Sequence, residues 1–193
     1  HRGHLGVGNM AVRGSAPEDG RSMATLWAPW RMAYITGPRE GGCVLCEKAA
    51  GTDDPANLVL ARGRWAYVLM NLYPYNNGHL LVAPYRHCDR LADLSPDELL
   101  DVMRWIQRSE VVLREELRPD GFNIGLNLGK VAGAGIEEHL HFHVVPRWSG
   151  DTNFMPVIGE TKVMPEHLGA TYAKVAPRFA ASRRRSRFRA RIV

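Results

Sequence analysis

The sequence predicts an α+β domain in which one long helix packs on an antiparallel sheet. Three observations lead there. The segments WAYVLMNLYPYN and GHLLVAPYRH are apolar runs separated by a Pro/Asn/Gly turn, which is how a hairpin reads. A strong helix signal begins at Ser95, and two more strand-like segments follow the helix. Strands, a helix and then strands, without a regular β-α-β alternation, favour an antiparallel sheet over a parallel one.

Residues 1–22 are rich in Gly, Ser, Pro and charge and have little apolar periodicity, so they read as a flexible arm. The chain opens on His1, and Met23 is a candidate native start. The body is expected over residues 23–180, beginning at the aromatic cluster Trp27, Trp30 and Tyr34. After the hairpin, Ser95 as cap, Pro96 at the first helical position and Glu98 at the third form a capping box. Leu99, Met103, Ile106, Leu113 and Leu117 then hold helical spacing until Pro119. The last two strands are GFNIGLNLG and EHLHFHVVPRW, joined by the glycine-bearing loop Gly129–Gly135. Residues 181–193 form an arginine-rich tail.

With 193 residues, 45% of them hydrophobic, the chain is long enough to bury one sizeable core. Three cysteines exclude a disulfide-stapled scaffold. The longest apolar run is six residues, Trp65–Met70, too short to cross a bilayer, and no stretch resembles a signal peptide, so a cytoplasmic location is expected. A formal charge of +5 would suggest a nucleic-acid partner. However, Arg183, Arg184, Arg185, Arg187, Arg189 and Arg191 all lie in the tail, and without these six the charge falls from +5 to −1. Nucleic acid is therefore expected, if anywhere, at the tail, which reads as a solvated end.

His139, His141 and His143 alternate with Leu140, Phe142 and Val144. In a strand this puts three imidazoles on one face. Three readings stand at this point. The histidines could be unrelated and satisfied, could ligate a catalytic metal as His-x-His pairs do, or could take up a transferred group on an imidazole.

HLHFHVV fits a His-φ-His-φ-His-φ-φ pattern, with φ apolar. Together with LWAPWRMAYI, NLYPYNNGHLLVAPYRH, GFNIGLNLG and EHLHFHVVPRWSGDTNF, it makes the chain resemble the histidine triad family of nucleotide hydrolases and transferases. The resemblance runs over residues 26–165 and is strongest to the bacterial branch acting on dinucleoside polyphosphates. It implies the histidine-triad fold and a homodimer, with Trp27–Tyr34 and Trp148 as candidate contacts. His141 would be the nucleophile, forming a nucleotidyl-histidine that an acceptor, phosphate or water, then attacks. His143 and His79 would donate to the α-phosphate, and Asn127 would contact it. Asn71 would grip the ribose, and the loop around Gly133 would bring backbone amides to the phosphates. Many family members carry Gln and then Ser or Thr just before the first histidine, where this chain has Gly135 and Ile136.

Cys43-Val44-Leu45-Cys46 is a thiol pair at metal-knuckle spacing, which a redox pair or coincidence could equally explain. The resemblance implies a structural zinc on Cys43, Cys46, His87 and His139, with no organic cofactor. Cys88 has no assigned role. Two further alternatives to the nucleotidyl reading remain at this stage. One is a metallohydrolase with the triad as catalytic zinc ligands, and the other a non-catalytic nucleotide-binding regulator.

Overall fold

The computed structural model describes residues 42–151 and 164–189, with side chains through residue 180. The arm, the aromatic cluster Trp27–Tyr34 and residues 152–163 lie outside the described residues. The elements are α1 (Val44–Ala50), β1 (Val59–Arg62), β2 (Ala66–Met70), β3 (Leu80–Pro84), α2 (Pro96–Leu117), β4 (Gly121–Gly125), β5 (Phe142–Arg147) and α3 (Leu168–Arg189). The strands form one antiparallel sheet in the order β1-β2-β3-β5-β4.

The predicted hairpin is β2 and β3, in register from Ala66 opposite Pro84 to Met70 opposite Leu80. Both strands are buried along their whole length. A continuous apolar run is what a strand covered on both faces requires, and alternation divides it between two cores. Ala66, Val68 and Met70 join the cluster holding Val102, Ile106 and Leu113 of α2. Tyr67 and Leu69 join the cluster holding Leu45 of α1.

The capping box forms as predicted. Glu98 N–H donates to Ser95 Oγ at 3.3 Å, and Ser95 N–H donates to the Glu98 carboxylate at 2.8 Å. The buried line of α2 is rotated from the expected one and runs through Glu98, Val102, Ile106, Ser109, Val112 and Leu113. Met103, predicted in the stripe, is 49% exposed. The cause lies at the helix start, where Glu98 turns inward to meet Ser95 and Arg86 and carries Val102, one turn later, into the core.

The expectation of one long helix is also corrected. The 22-residue α3 matches α2 in length and packs beside it and β1. Val175 and Phe179 are buried, and the Tyr172 hydroxyl donates to the Val59 carbonyl at 2.9 Å. Leu168, Tyr172, Val175 and Phe179 have helical spacing, but Pro177 and the arginine run obscure it in the sequence. The helix continues through Arg189, so its backbone takes in most of the predicted tail.

The expected strand over 138–148 begins only at Phe142. Its partner β3 stops at Pro84, whose carbonyl accepts from the His139 ring at 2.9 Å and is withdrawn from the ladder. At the other end of the sheet, Arg62 secures α1. Its guanidinium donates to the carbonyls of Lys48, Ala49 and Gly51 at the helix C-terminus. The buried Tyr67 hydroxyl holds the Leu45 carbonyl at 2.7 Å, fixing α1 to the sheet.

Candidate active site and metal-ligating group

The three alternating histidines divide between two groups. His139 is buried and turns its ring toward the start of α1. Its Nε2 faces the Pro84 carbonyl, an atom that can only accept, so the neutral ring carries its proton there and its lone pair is on Nδ1. That Nδ1 lies 3.2 Å from Cys43 Sγ and 3.4 Å from Cys46 Sγ. His87 Nδ1 lies 3.4 Å from Cys46 Sγ. One ligand atom from each of Cys43, Cys46, His87 and His139 falls within 4.8 Å of all the others.

This donor set fits a metal ion. The lone pair of His139 faces inward while its other nitrogen is held by a carbonyl, the usual support for a metal-ligating histidine. Burial first, and then Cys43 beside it, push the Cys46 thiol up to about 11, a cost that a divalent cation among the thiolates reverses. Among the described residues, the group of metal-ligating side chains brought together is this one, and it excludes His141 and His143. For the metallohydrolase alternative, with two or three triad histidines as ligands, the fold turns the His139 ring away to the thiols and leaves His141 and His143 side by side.

His141 is 5% exposed and lies next to His143, with ring centroids 5.0 Å apart. Its Nδ1 is 2.8 Å from the His139 carbonyl, so the Nδ1 proton is donated there and the Nε2 lone pair is left for chemistry. Burial holds its pKa below the ordinary 6.5 and keeps the ring neutral.

His79, fully buried on the last residue before β3, meets His143 at 2.9 Å, Nε2 to Nδ1. Tyr75 stacks on both rings, at 4.7 Å from His79 and 5.5 Å from His143. In the sequence the one signal for Tyr75 is its place in NLYPYN.

The remaining expected site residues lie on the flanking turns. Asn71, just after β2, takes the Tyr73 N–H on Oδ1 at 3.0 Å, with its Nδ2 3.3 Å from His79 Nδ1. Asn127 donates to the Gly133 carbonyl at 3.3 Å and closes the loop from Gly129. Gly129 and Gly133 both have positive φ, as such a loop requires. The Ala132, Gly133 and Ala134 amides, expected to face phosphate, donate within the loop to the Gly129 and Lys130 carbonyls. Ile136, where the resemblance leads to the expectation of a polar residue, is buried against the α1 side of the sheet.

A five-stranded antiparallel sheet with a buried, carbonyl-anchored His141 beside the His79–His143 pair defines a histidine-triad protein. The chain belongs to the HIT domain family, whose model matches residues 53–150. It is 43% identical over 163 residues to the AP-4-A phosphorylase of Mycobacterium tuberculosis strain H37Rv, covering 80% of this chain and 84% of that one. It is 30% identical over 127 residues to the asymmetrical bis(5'-nucleosyl)-tetraphosphatase of Schizosaccharomyces pombe, covering 65% and 69%. Among solved structures, a zinc-bound histidine triad family protein from Mycobacterium smegmatis superposes with a TM-score of 0.58 at 25% identity, over 73% of this chain and 95% of that one.

Proposed function

We propose that this protein is a nucleotidyl transferase or hydrolase that cleaves dinucleoside polyphosphates of the diadenosine tetraphosphate type at the α-phosphate. The observation that carries this reading is the Nδ1 contact of buried His141 with the His139 carbonyl, which leaves Nε2 as the nucleophilic atom. Nε2 attacks the α-phosphorus, the bond to the bridging oxygen breaks, and the remaining polyphosphate departs with the electron pair. An acceptor oxygen then attacks the same phosphorus, the N–P bond breaks, and His141 is regenerated. His143 and His79 donate to charge developing on the phosphoryl oxygens. Asn127 and the Gly133 turn border the phosphate, and Asn71 the ribose.

Likeness to an AP-4-A phosphorylase across four-fifths of the chain favours orthophosphate over water as the acceptor. Zinc on Cys43, Cys46, His87 and His139 would close a four-ligand structural site and stabilise the fold. A homodimer fits the exposed edge strand β4, where Ile124 faces solvent.

Chromatography of products from diadenosine tetraphosphate, with and without orthophosphate, tests the reading. ADP plus ATP formed only with phosphate identifies the phosphorylase. AMP plus ATP without phosphate identifies a hydrolase acting at the α-phosphate, and ADP as the one product would overturn attack at that phosphorus. No turnover of any dinucleoside polyphosphate refutes the proposal in favour of a nucleotide-binding regulator. Light scattering of the intact protein tests the dimer.

A further inference from the structure

We propose that Asn71 and the main chain at Tyr75 are positioning elements that decide which nitrogen of His79, and through it of His143, carries the proton. The functional part rests on the nucleotidyl-transfer reading above; the proton placement itself does not.

The orientation of the Asn71 amide is fixed. The Tyr73 N–H is a donor, so the Asn71 atom receiving it at 3.0 Å is Oδ1. The other end of the Asn71 amide is then Nδ2, a donor, and it lies 3.3 Å from His79 Nδ1. The Tyr75 N–H donates to the same His79 Nδ1 at 2.9 Å. Two donors converge on one ring nitrogen, which must present its lone pair. The proton of neutral His79 is therefore on Nε2.

That proton points at His143 Nδ1, 2.9 Å away. His143 Nδ1 accepts it, so the proton of neutral His143 is on its own Nε2. A chain of donors runs from the β2–β3 turn through His79 to the outer nitrogen of His143, the ring edge-on to His141. Tyr75 stacks on both imidazoles and restrains their planes. The result is two opposite tautomers side by side: His141 protonated on Nδ1 with a nucleophilic Nε2, and His143 protonated on Nε2 as a donor. Attack and oxyanion stabilisation need that opposition. An amide has two N–H groups and two lone pairs, so this task sits alongside a ribose contact for Asn71.

Two-bond ¹H–¹⁵N correlation spectra of histidine-labelled protein without substrate read the tautomers directly. In the wild type, His79 and His143 are expected protonated on Nε2 and not on Nδ1; a proton on Nδ1 of either neutral ring overturns the proposal. In Asn71→Leu, where the Tyr75 N–H is the remaining donor to His79 Nδ1, both rings are expected to gain a partial Nδ1–H population, with kcat lower by about tenfold. Unchanged tautomers in that variant overturn the role of Asn71, and a ribose contact alone would raise KM while leaving kcat and tautomers as in the wild type. If Asn71→Leu does not fold, Asn71→Asp keeps the shape and the Tyr73 contact but sets an acceptor against His79. His79 Nδ1 is then expected to gain a proton, and its staying bare overturns the proposal. A wild type with the expected tautomers but no turnover refutes the functional reading alone.

Discussion

The main-chain carbonyl of His139 accepts the Nδ1 proton of His141 at 2.8 Å, while the His139 ring lies 3.2 Å from Cys43 Sγ. One residue therefore belongs to both groups, by its backbone to the candidate nucleophile and by its side chain to the thiols.

His141→Asn is expected to keep the fold, because the amide can still donate to the His139 carbonyl. Its turnover of diadenosine tetraphosphate should fall by at least about 10⁴-fold, the scale on which deleting a nucleophile acts. Melting temperature and initial rates measured on one preparation check both statements.

The pH profile follows from the burial of His141. The neutral ring is the active form, and burial lowers its pKa below 6.5. Activity should therefore be flat from neutrality down past pH 6.5 and be lost only as the pH falls through the lowered value. A rising limb in kcat/KM centred above 6.5 would contradict this.

Removing the metal should cost stability. One zinc per chain is expected by elemental analysis, and Cys46→Ser should lose it. Chelation should destabilise the fold by about 3 kcal/mol or more, lowering Tm by at least ~6 °C. If zinc content instead followed His141 substitutions, the assignment of ligands would be wrong.

The helix cap gives a test far from the chemistry. Ser95→Ala should cost about 1 kcal/mol, measured by denaturant unfolding. The Arg86 guanidinium beside Glu98 holds its carboxyl below the ordinary 4.5. Stability from this contact is thus full above the unfolded-state value and is lost as pH falls through the lowered one. Glu98→Gln should flatten that acid limb.

Much of this was legible because local signals and tertiary demands agreed. The hairpin and the capping box each follow from short-range rules, and each formed. Where distant groups intervene, the local signal misleads. The His139 ring takes the Pro84 carbonyl that a strand would have used, and the inward turn of Glu98 rotates the face on which Met103 was expected. Tyr75 carries no motif of its own and matters because the turn folds it over two imidazoles. The stripe of α3 lies in the sequence, but Pro177 and the arginines mask it.

Gly78, at a φ of +73°, sits so close to the end of α2 that a Cβ there would come within 2.4 Å of Leu117 Cδ1. At the opposite end of the same helix, Glu98 grips Arg86 at 2.8 Å. Gly78 immediately precedes His79, and Arg86 immediately precedes His87. The helix behind the sheet is thus a splint about 33 Å long, each tip resting one peptide bond from a histidine of a different group. Shortening it, or loosening either tip, would be felt at a ring nitrogen without any change to the residues that face the phosphate.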